Sequence, residues 1–400
     1  MRIALVRGNN LNRFEMQSYK PLSQRHEITG YSSYTNKFET VDMGFPVKKL
    51  HTTEERYGFL PSPLRGMAYG LSLPRGLNER MAGLEKELED KDIVHTAETF
   101  TGYSYQAARY KAVSKVKLAL TVWENIPFLS THLFRGFDGI SETMRRALTG
   151  NDRIVEYTKS RADVFIAVTD RAKAALMIEG VPEDRIRVVP AGIDTGRFKP
   201  APADPELRKK LGASDDDLLV LYMGRLVKEK GVYDLLHAAM LIARDPELKS
   251  VKIAMVGTGP EKDAVAERIA PAGLRERVLL AGGFSYSAVP DLYNAADTFI
   301  LPSIPAPFWQ EQFGMVLVEA MASGLPVIST MSGSIPEVVG DAGILIQPND
   351  PLSIYNEIKR LAADASAREA YGKRGRRRAL EKFDTRIVSE QVEAIYRDLM

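Results

Sequence analysis

The sequence contains no cysteine. That excludes a disulfide framework, thiolate zinc sites and cysteine nucleophiles, although it leaves the compartment open. A dominant charge is also missing: 54 Lys and Arg stand against 52 Asp and Glu, a net of +2, so charge alone announces no nucleic-acid partner. No apolar run suits a bilayer. The longest stretch without charge, Ala320 to Pro336, is broken by Gly324, Pro326 and Gly333, which rules it out as a spanning helix. Met1 to Asn10 lacks the apolar core and small-residue cleavage site of a secretory leader and reads as a first strand. The expected location is therefore the cytoplasm. No internal repeat and no low-complexity segment is visible. What remains is a chain of 400 residues, 44% hydrophobic and 26% charged, a globular composition whose length calls for two or more domains.

Short β-rich apolar runs alternate with longer helical patterns, which predicts an α/β protein with parallel sheets flanked by helices. The first half offers Ile3–Val6, Asp92–His95, Leu118–Val122, Val164–Val168 and Arg187–Pro190 as strands. The second offers Leu218–Tyr222, Val251–Val256, Arg277–Leu280, Thr298–Leu301, Pro326–Ser329 and Gly343–Ile346. The pattern starts twice. Pro190 to Leu211 is rich in Pro and Gly, so the boundary is expected near residue 200, with domains 1–200 and 201–384. In the tail, 385–400, Ile387, Val388, Val392, Ile395, Tyr396 and Leu399 fall on one helical face, which predicts docking near the N-terminal domain. Open parallel sheets bind ligands at the carboxyl ends of their strands. Two such domains facing each other are expected to hold a site in the cleft.

The chemistry-bearing residues lie mostly in the second half. In Glu311-Gln-Phe-Gly314-Met315-Val316-Leu-Val-Glu319-Ala-Met-Ala-Ser-Gly324, two carboxylates are separated by seven residues. Almost every neighbour of Glu319 is apolar, and an ionised carboxylate buried without partners is costly. Either a ligand diol such as a ribose, or a backbone amide or arginine, must meet it. A helix beginning near Gly314 presents free amides at its start, which favour an anion such as phosphate. Glu311 flanks that position and suits the hydroxyls of a sugar attached to the phosphate. Tyr222-Met-Gly224-Arg225-Leu-Val-Lys-Glu-Lys230-Gly231 ends a strand in glycine and sets two cations before a helix. Arginine offers phosphate a fork and lysine a point charge; a solvated basic loop fits the same string. Val256-Gly257-Thr-Gly259-Pro260 closes another strand with a tight turn, short of a full dinucleotide fingerprint.

In this order the three elements resemble the C-terminal domain of retaining glycosyltransferases of family 4, a GT-B group. The matching stretches are GRLVKEKG, VGTGP, GGFSYSAVPDLYNAADTFILPS, the E-x7-E block and SGSIPEVVGDAG, spanning Leu218 to Gln347, while VPAGIDTGRFKP resembles the interdomain connection. The resemblance implies a GT-B fold of two Rossmann-like domains facing across a cleft. It also implies that Arg225 and Lys230 grip a donor diphosphate, that Glu319 takes ribose hydroxyls, and that Glu311 contacts the donor sugar. Gly314, Met315 and Val316 then supply backbone contacts, and Gly257 joins the donor-binding positions. Gly8 falls where the family keeps a glycine near the donor phosphates, although Arg7-Gly8-Asn9-Asn10 is not the usual double glycine. The chain departs from the family after Leu118–Val122, where many members carry a histidine and this sequence reads Trp123-Glu124-Asn125. His95 is a candidate substitute, with a structural role as the alternative. Trp123 is a candidate for stacking on sugar or acceptor and Glu124 for orienting a hydroxyl; core packing and plain solvation are the alternatives.

The implied reaction moves a hexose from a nucleoside-diphosphate sugar, UDP- or GDP-linked, to an acceptor hydroxyl with retention of configuration. Arg225, Lys230 and the helix start would meet the charge on the departing diphosphate, and by analogy with the family the acceptor proton passes to a donor phosphate oxygen. No cofactor is expected, and no divalent metal, since no Asp-x-Asp cluster accompanies these elements. The acceptor is expected to be a sugar, a lipid-linked molecule or another small molecule. The alternatives are a GT-B nucleotide-sugar epimerase and a protein that binds the donor without efficient transfer. Residues 1–190 carry 28 Lys and Arg against 23 Asp and Glu. Within them a helix expected over Tyr103 to Lys117 sets Arg109, Lys111, Lys115 and Lys117 beside Tyr103, Tyr105, Tyr110 and Val113, a surface suited to reversible contact with an anionic membrane. An ordinary solvated helix is the alternative.

Overall fold

Strands covered on both faces lose the alternation of polar and apolar residues, and Leu218-Leu-Val-Leu-Tyr-Met223 is such a run, buried at every position. The computed structural model describes residues 1–53, 55, 79–129 and 151–400. Among these residues the chain divides into two units, Met1–Gly192 with Thr385–Met400, and Ile193–Asp384. The strands of the first are β1 (Arg2–Gly8), β2 (Glu27–Ser33), β3 (Val47–Leu50), β4 (Ile93–Ala97), β5 (Lys117–Val122), β6 (Val164–Ala167) and β7 (Ile186–Val188). They form one sheet in the order β3-β2-β1-β4-β5-β6-β7, parallel at every pairing. The second unit holds β8 (Leu218–Met223), β9 (Val251–Val256), β10 (Val278–Gly282), β11 (Thr298–Leu301), β12 (Val327–Thr330) and β13 (Ile344–Ile346). Their order is β10-β9-β8-β11-β12-β13, again all parallel. Each unit is therefore a Rossmann-like layered domain, the architecture of the GT-B group.

Both sheets reverse their strand order once, at β1/β4 and at β8/β11. At such a switch the connections diverge to opposite faces and leave a crevice beyond the carboxyl ends of the two strands. Gly8 ends β1, Glu98 follows β4, Arg225 follows β8 and Ser303 follows β11. The fold thus sets two residues expected from the sequence, Gly8 and Arg225, and two that were not, Glu98 and Ser303, at its two switch points.

β2 and β3 lie outside the strands that apolar runs predict. β2 has only Ile28 and Tyr31 as large apolar residues, and β3 is a four-residue edge strand with two lysines. The boundary falls at Gly192 rather than at residue 200. The reason is the packing of Phe198, fully buried in the second unit, whose carbonyl accepts the Arg376 guanidinium at 2.7 Å. The last helix, Thr385–Leu399, returns to the first unit, where Val388, Val392, Ile395 and Tyr396 join Ile3, Leu5, Ile28 and Ile166 in one apolar cluster.

The basic face expected over Tyr103 to Lys117 is not one helix. The helix is Gly102–Lys111, Tyr103 is buried, Lys111 pairs with Asp163, and Lys117 begins β5. The membrane expectation then rests on net charge alone. No helix among the described residues is long and apolar enough to cross a bilayer.

Candidate active site

In the second unit, β8 runs into Gly224-Arg225, and the 3-10 turn Lys228–Lys230 precedes the helix Val232–Arg244. Arg225 is exposed, while the buried Tyr222 donates its hydroxyl to the Arg225 carbonyl at 2.8 Å and fixes the loop. The VGTGP turn backs this loop: Leu226 donates to the Thr258 carbonyl at 2.8 Å, and Glu261 donates to the Leu226 carbonyl at 3.0 Å. Gly257 has φ +143°, and a Cβ there would lie 1.9 Å from the Gly224 carbonyl oxygen. Only glycine allows the two strand-end loops to approach so closely. Gly231 is equally constrained, since a Cβ would meet the Pro302 carbonyl at 1.9 Å.

Beyond β11, the loop from Pro302 to Gly314 leads into the helix Met315–Ala322, with Gly314 at its N-cap at φ +84°. Here the two cation and carboxylate motifs meet. Lys230 Nζ donates to Glu311 Oε2 at 2.5 Å, and Ser303 Oγ donates to the same oxygen at 2.8 Å. Both members of the ion pair are largely buried, with side chains 15% and 9% exposed. The Lys230 ammonium also lies over the Trp309 ring, 5.0 Å from its centroid. Met315 and Val316 open the helix, whose first amides have no acceptor within it. A cation, a carboxylate and a helix start therefore converge at the β8/β11 switch, an arrangement that accepts an anion bearing hydroxyls.

Glu319 is 3% exposed. Its partners are neither an amide nor an arginine: Tyr286 donates to Oε1 at 3.0 Å and Tyr293 to Oε2 at 2.9 Å. Desolvation pushes its pKa up to about 7, against the lowering effect of the two tyrosines and of Arg197. Two carboxylate oxygens offer about four acceptor sites, so acceptor capacity for a diol is left. Tyr286 and Tyr293 lie in the motif string but carry no sequence signal for this role beyond their hydroxyls.

The four remaining candidates, Gly8, His95, Trp123 and Glu124, belong to the first unit. Gly8 has φ +53°, and a Cβ would sit 3.0 Å from the Tyr103 ring. Arg7 is turned inward, paired with Glu15 at 3.0 Å and donating to the His95 carbonyl at 3.0 Å. His95 presents no nitrogen to a substrate. It is fully buried, with Nδ1 2.5 Å from the Tyr396 hydroxyl and Nε2 2.7 Å from the Thr121 hydroxyl. Burial, and then Arg7, hold its pKa well below the usual imidazole range, so the ring is a neutral tie between sheet and terminal helix. The Glu124 carboxylate folds back on its own loop, accepting the Asn125 and Ile126 amides, each at 2.9 Å. Trp123 lines a small cavity with Glu15, Thr121 and Val392.

Sequence reasoning passed over Glu98, just beyond β4. Its backbone is left-handed, φ +61°, a costly conformation for a non-glycine residue. Oε1 accepts the amides of Trp123 at 2.9 Å and Glu124 at 3.3 Å, while Oε2 is enclosed and has no partner among the described residues. Burial raises its pKa to about 8, the amides opposing and Glu124 reinforcing. A carboxyl that keeps its proton near neutral pH can donate from Oε2. No sequence pattern announces this residue; the signal is its conformation.

Comparison with known proteins follows the same division. Residues 24–197 match the family model "Glycosyltransferase Family 4", and 203–378 match "Glycosyl transferases group 1". An uncharacterized glycosyltransferase of Methanocaldococcus jannaschii is 28% identical over 228 residues, 56% of this chain and 56% of that protein. The chain thus aligns with about half the length of this relative. The alpha-maltose-1-phosphate synthase of Mycolicibacterium smegmatis is 28% identical over 346 residues, 81% of this chain and 84% of that one. In fold, the chain resembles Anabaena HepE, solved with UDP, at a TM-score of 0.75 and 20% identity, with both chains covered in full.

Proposed function

The chain belongs to the GT-B glycosyltransferases, its two halves matching the family's two models, and from that premise we propose that it moves a hexosyl group from a nucleoside-diphosphate sugar to an acceptor hydroxyl with retention of configuration. The observation that carries this reading is the meeting of Lys230, Glu311 and the start of the helix Met315–Ala322 at the β8/β11 switch, with Arg225 on the neighbouring loop. As the bond between the anomeric carbon and the diphosphate oxygen breaks, negative charge grows on the leaving group. Arg225, Lys230 and the helix amides are the groups that meet it, and fixed donors aimed at developing charge are an effective means of lowering a barrier. Glu311 orients the sugar through its hydroxyls and Glu319 takes the ribose. The acceptor proton passes to a phosphate oxygen of the departing diphosphate. The charge is met without a divalent ion, so excess chelator leaves the rate unchanged; a loss restored by Mg²⁺ or Mn²⁺ would refute this.

A UDP-linked donor is proposed, by analogy with HepE, which is solved with UDP and with UDP-glucose. The test is incubation with UDP-, GDP- and ADP-sugars, read by thermal shift and by product. A ligand at a hundred times its dissociation constant stabilises the fold by about 2.7 kcal/mol. Transfer or slow donor hydrolysis supports the reading. An epimerised donor, or binding without turnover, replaces it with an epimerase or a binding protein.

A further inference from the structure

The connection from β11 to the helix Met315–Ala322 runs from Pro302 to Gly314, longer than the two to six residues usual between a strand and a helix. Long connections of this kind in compact domains commonly serve a site. This one is not loose. Ala306 and Trp309 exchange both backbone hydrogen bonds, at 2.7 and 3.2 Å, closing a tight turn, and Ile304 donates to the Glu229 carbonyl at 2.8 Å. The loop is thereby pinned to the segment that carries Lys230. Two of its aromatic residues stay at the surface, Phe308 being 49% exposed and Trp309 partly so, while Phe313 is buried.

The Lys230 ammonium meets both the Trp309 ring, 5.0 Å from its centroid, and the Glu311 carboxylate, at 2.5 Å. In the reading above, this ammonium is the cation that a donor diphosphate recruits. A sugar joined to that diphosphate must then lie beside Glu311, within reach of the indole that shares the ammonium with it. Hexoses have a polar rim of hydroxyls and an apolar face of C–H groups, and an aromatic plane suits that face as it suits a cation.

We propose that Trp309 is a specificity-determining residue for the donor: its indole packs against the C–H face of the transferred hexose while Glu311 accepts hydroxyls from the rim. This rests on the donor-site reading given above. Its contribution falls on the sugar and not on the nucleotide. In the absence of donor, Lys230 occupies the ring, and donor binding draws the ammonium to the diphosphate and frees the indole for the sugar.

The test compares affinities of the full-length protein for UDP and for UDP-glucose, by calorimetry, in the wild type, Trp309→Phe and Trp309→Ala. UDP carries the diphosphate without the sugar, so it reports both the folding of the site and the grip of Lys230. The expected result is a loss of about tenfold in UDP-glucose affinity for Trp309→Ala, a smaller loss for Trp309→Phe, and UDP affinity within about twofold throughout. Equal losses for both ligands would overturn the proposal and make Trp309 a prop for Lys230. Unchanged affinities for both would overturn it as well. If the wild type binds no UDP, GDP or ADP and none of their sugars, the donor-site reading fails first and this inference with it.

Discussion

At the scale of single residues, the Lys230–Glu311 pair has an energetic consequence. A diphosphate must displace a partly buried carboxylate from the ammonium, and it does so by offering more than one charged oxygen at once. Each charge-assisted hydrogen bond contributes about 1.5–3 kcal/mol, so Lys230→Ala and Arg225→Ala are each expected to lower turnover by roughly ten- to a hundredfold. Initial rates with saturating acceptor check this, and wild-type rates in both variants would sink the site. Glu98 and Glu319 lead to a second prediction. Their folded pKa values, about 8 and about 7, lie above the ordinary carboxyl value, so the folded chain binds more protons than the unfolded one between those limits. The stability they contribute is complete below the ordinary value and is lost as the pH rises through 7 and 8. Denaturant midpoints measured from pH 5 to 9 should therefore fall with pH, and Glu98→Gln should flatten the upper part of that slope. An unchanged slope in that variant would mean that Glu98 is ionised in the fold.

At the scale of elements, the loops after β8 and β9 behave as one. Because Gly257 touches the Gly224 carbonyl, Gly257→Ala pushes on the segment carrying Arg225. Backbone strain of this kind costs about 1–3 kcal/mol, so a lower melting temperature and weaker donor binding are expected together. Gly283→Ala is the control, since a Cβ there has only Thr258 Cγ2 near it, at 3.6 Å, and the melting temperature should hold. This level also separates what was legible from what was not. Buried parallel strands such as Leu218-Leu-Val-Leu-Tyr-Met223 read plainly because both faces want apolar residues. β2 did not, because its covered polar residues, Thr29, Ser32 and Ser33, resemble a loop. In the site, the spacing of Glu311 and Glu319 and the string around Arg225 and Lys230 could be read along the chain. Tyr286, Tyr293, Trp309 and Glu98 could not, because their roles depend on partners brought together by folding. For the same reason His95 looked like a candidate substitute for the family's histidine, while its partner Tyr396 lies 301 positions away.

At the scale of the whole molecule, the first unit is not continuous in sequence. The chain leaves it after Gly192 and returns at Thr385, and the returning helix covers Ile3, Leu5 and Ile28 with Val388, Val392 and Tyr396. Deleting residues 385–400 should therefore expose an apolar face and remove the Tyr396 partner of His95 Nδ1, lowering solubility and leaving the first unit open to protease while the second resists. Gel analysis of timed digests would show it, and equal resistance of both units would contradict the packing described. The arrangement also bears on synthesis. Domains ordinarily fold as they emerge, the N-terminal one first. Here the earliest-made half lacks its last piece until Thr385–Met400 has been made, whereas the inserted half is complete as soon as Asp384 has cleared the exit tunnel. Of the two units, the one begun first is finished last, and until then the nascent chain carries an uncovered sheet.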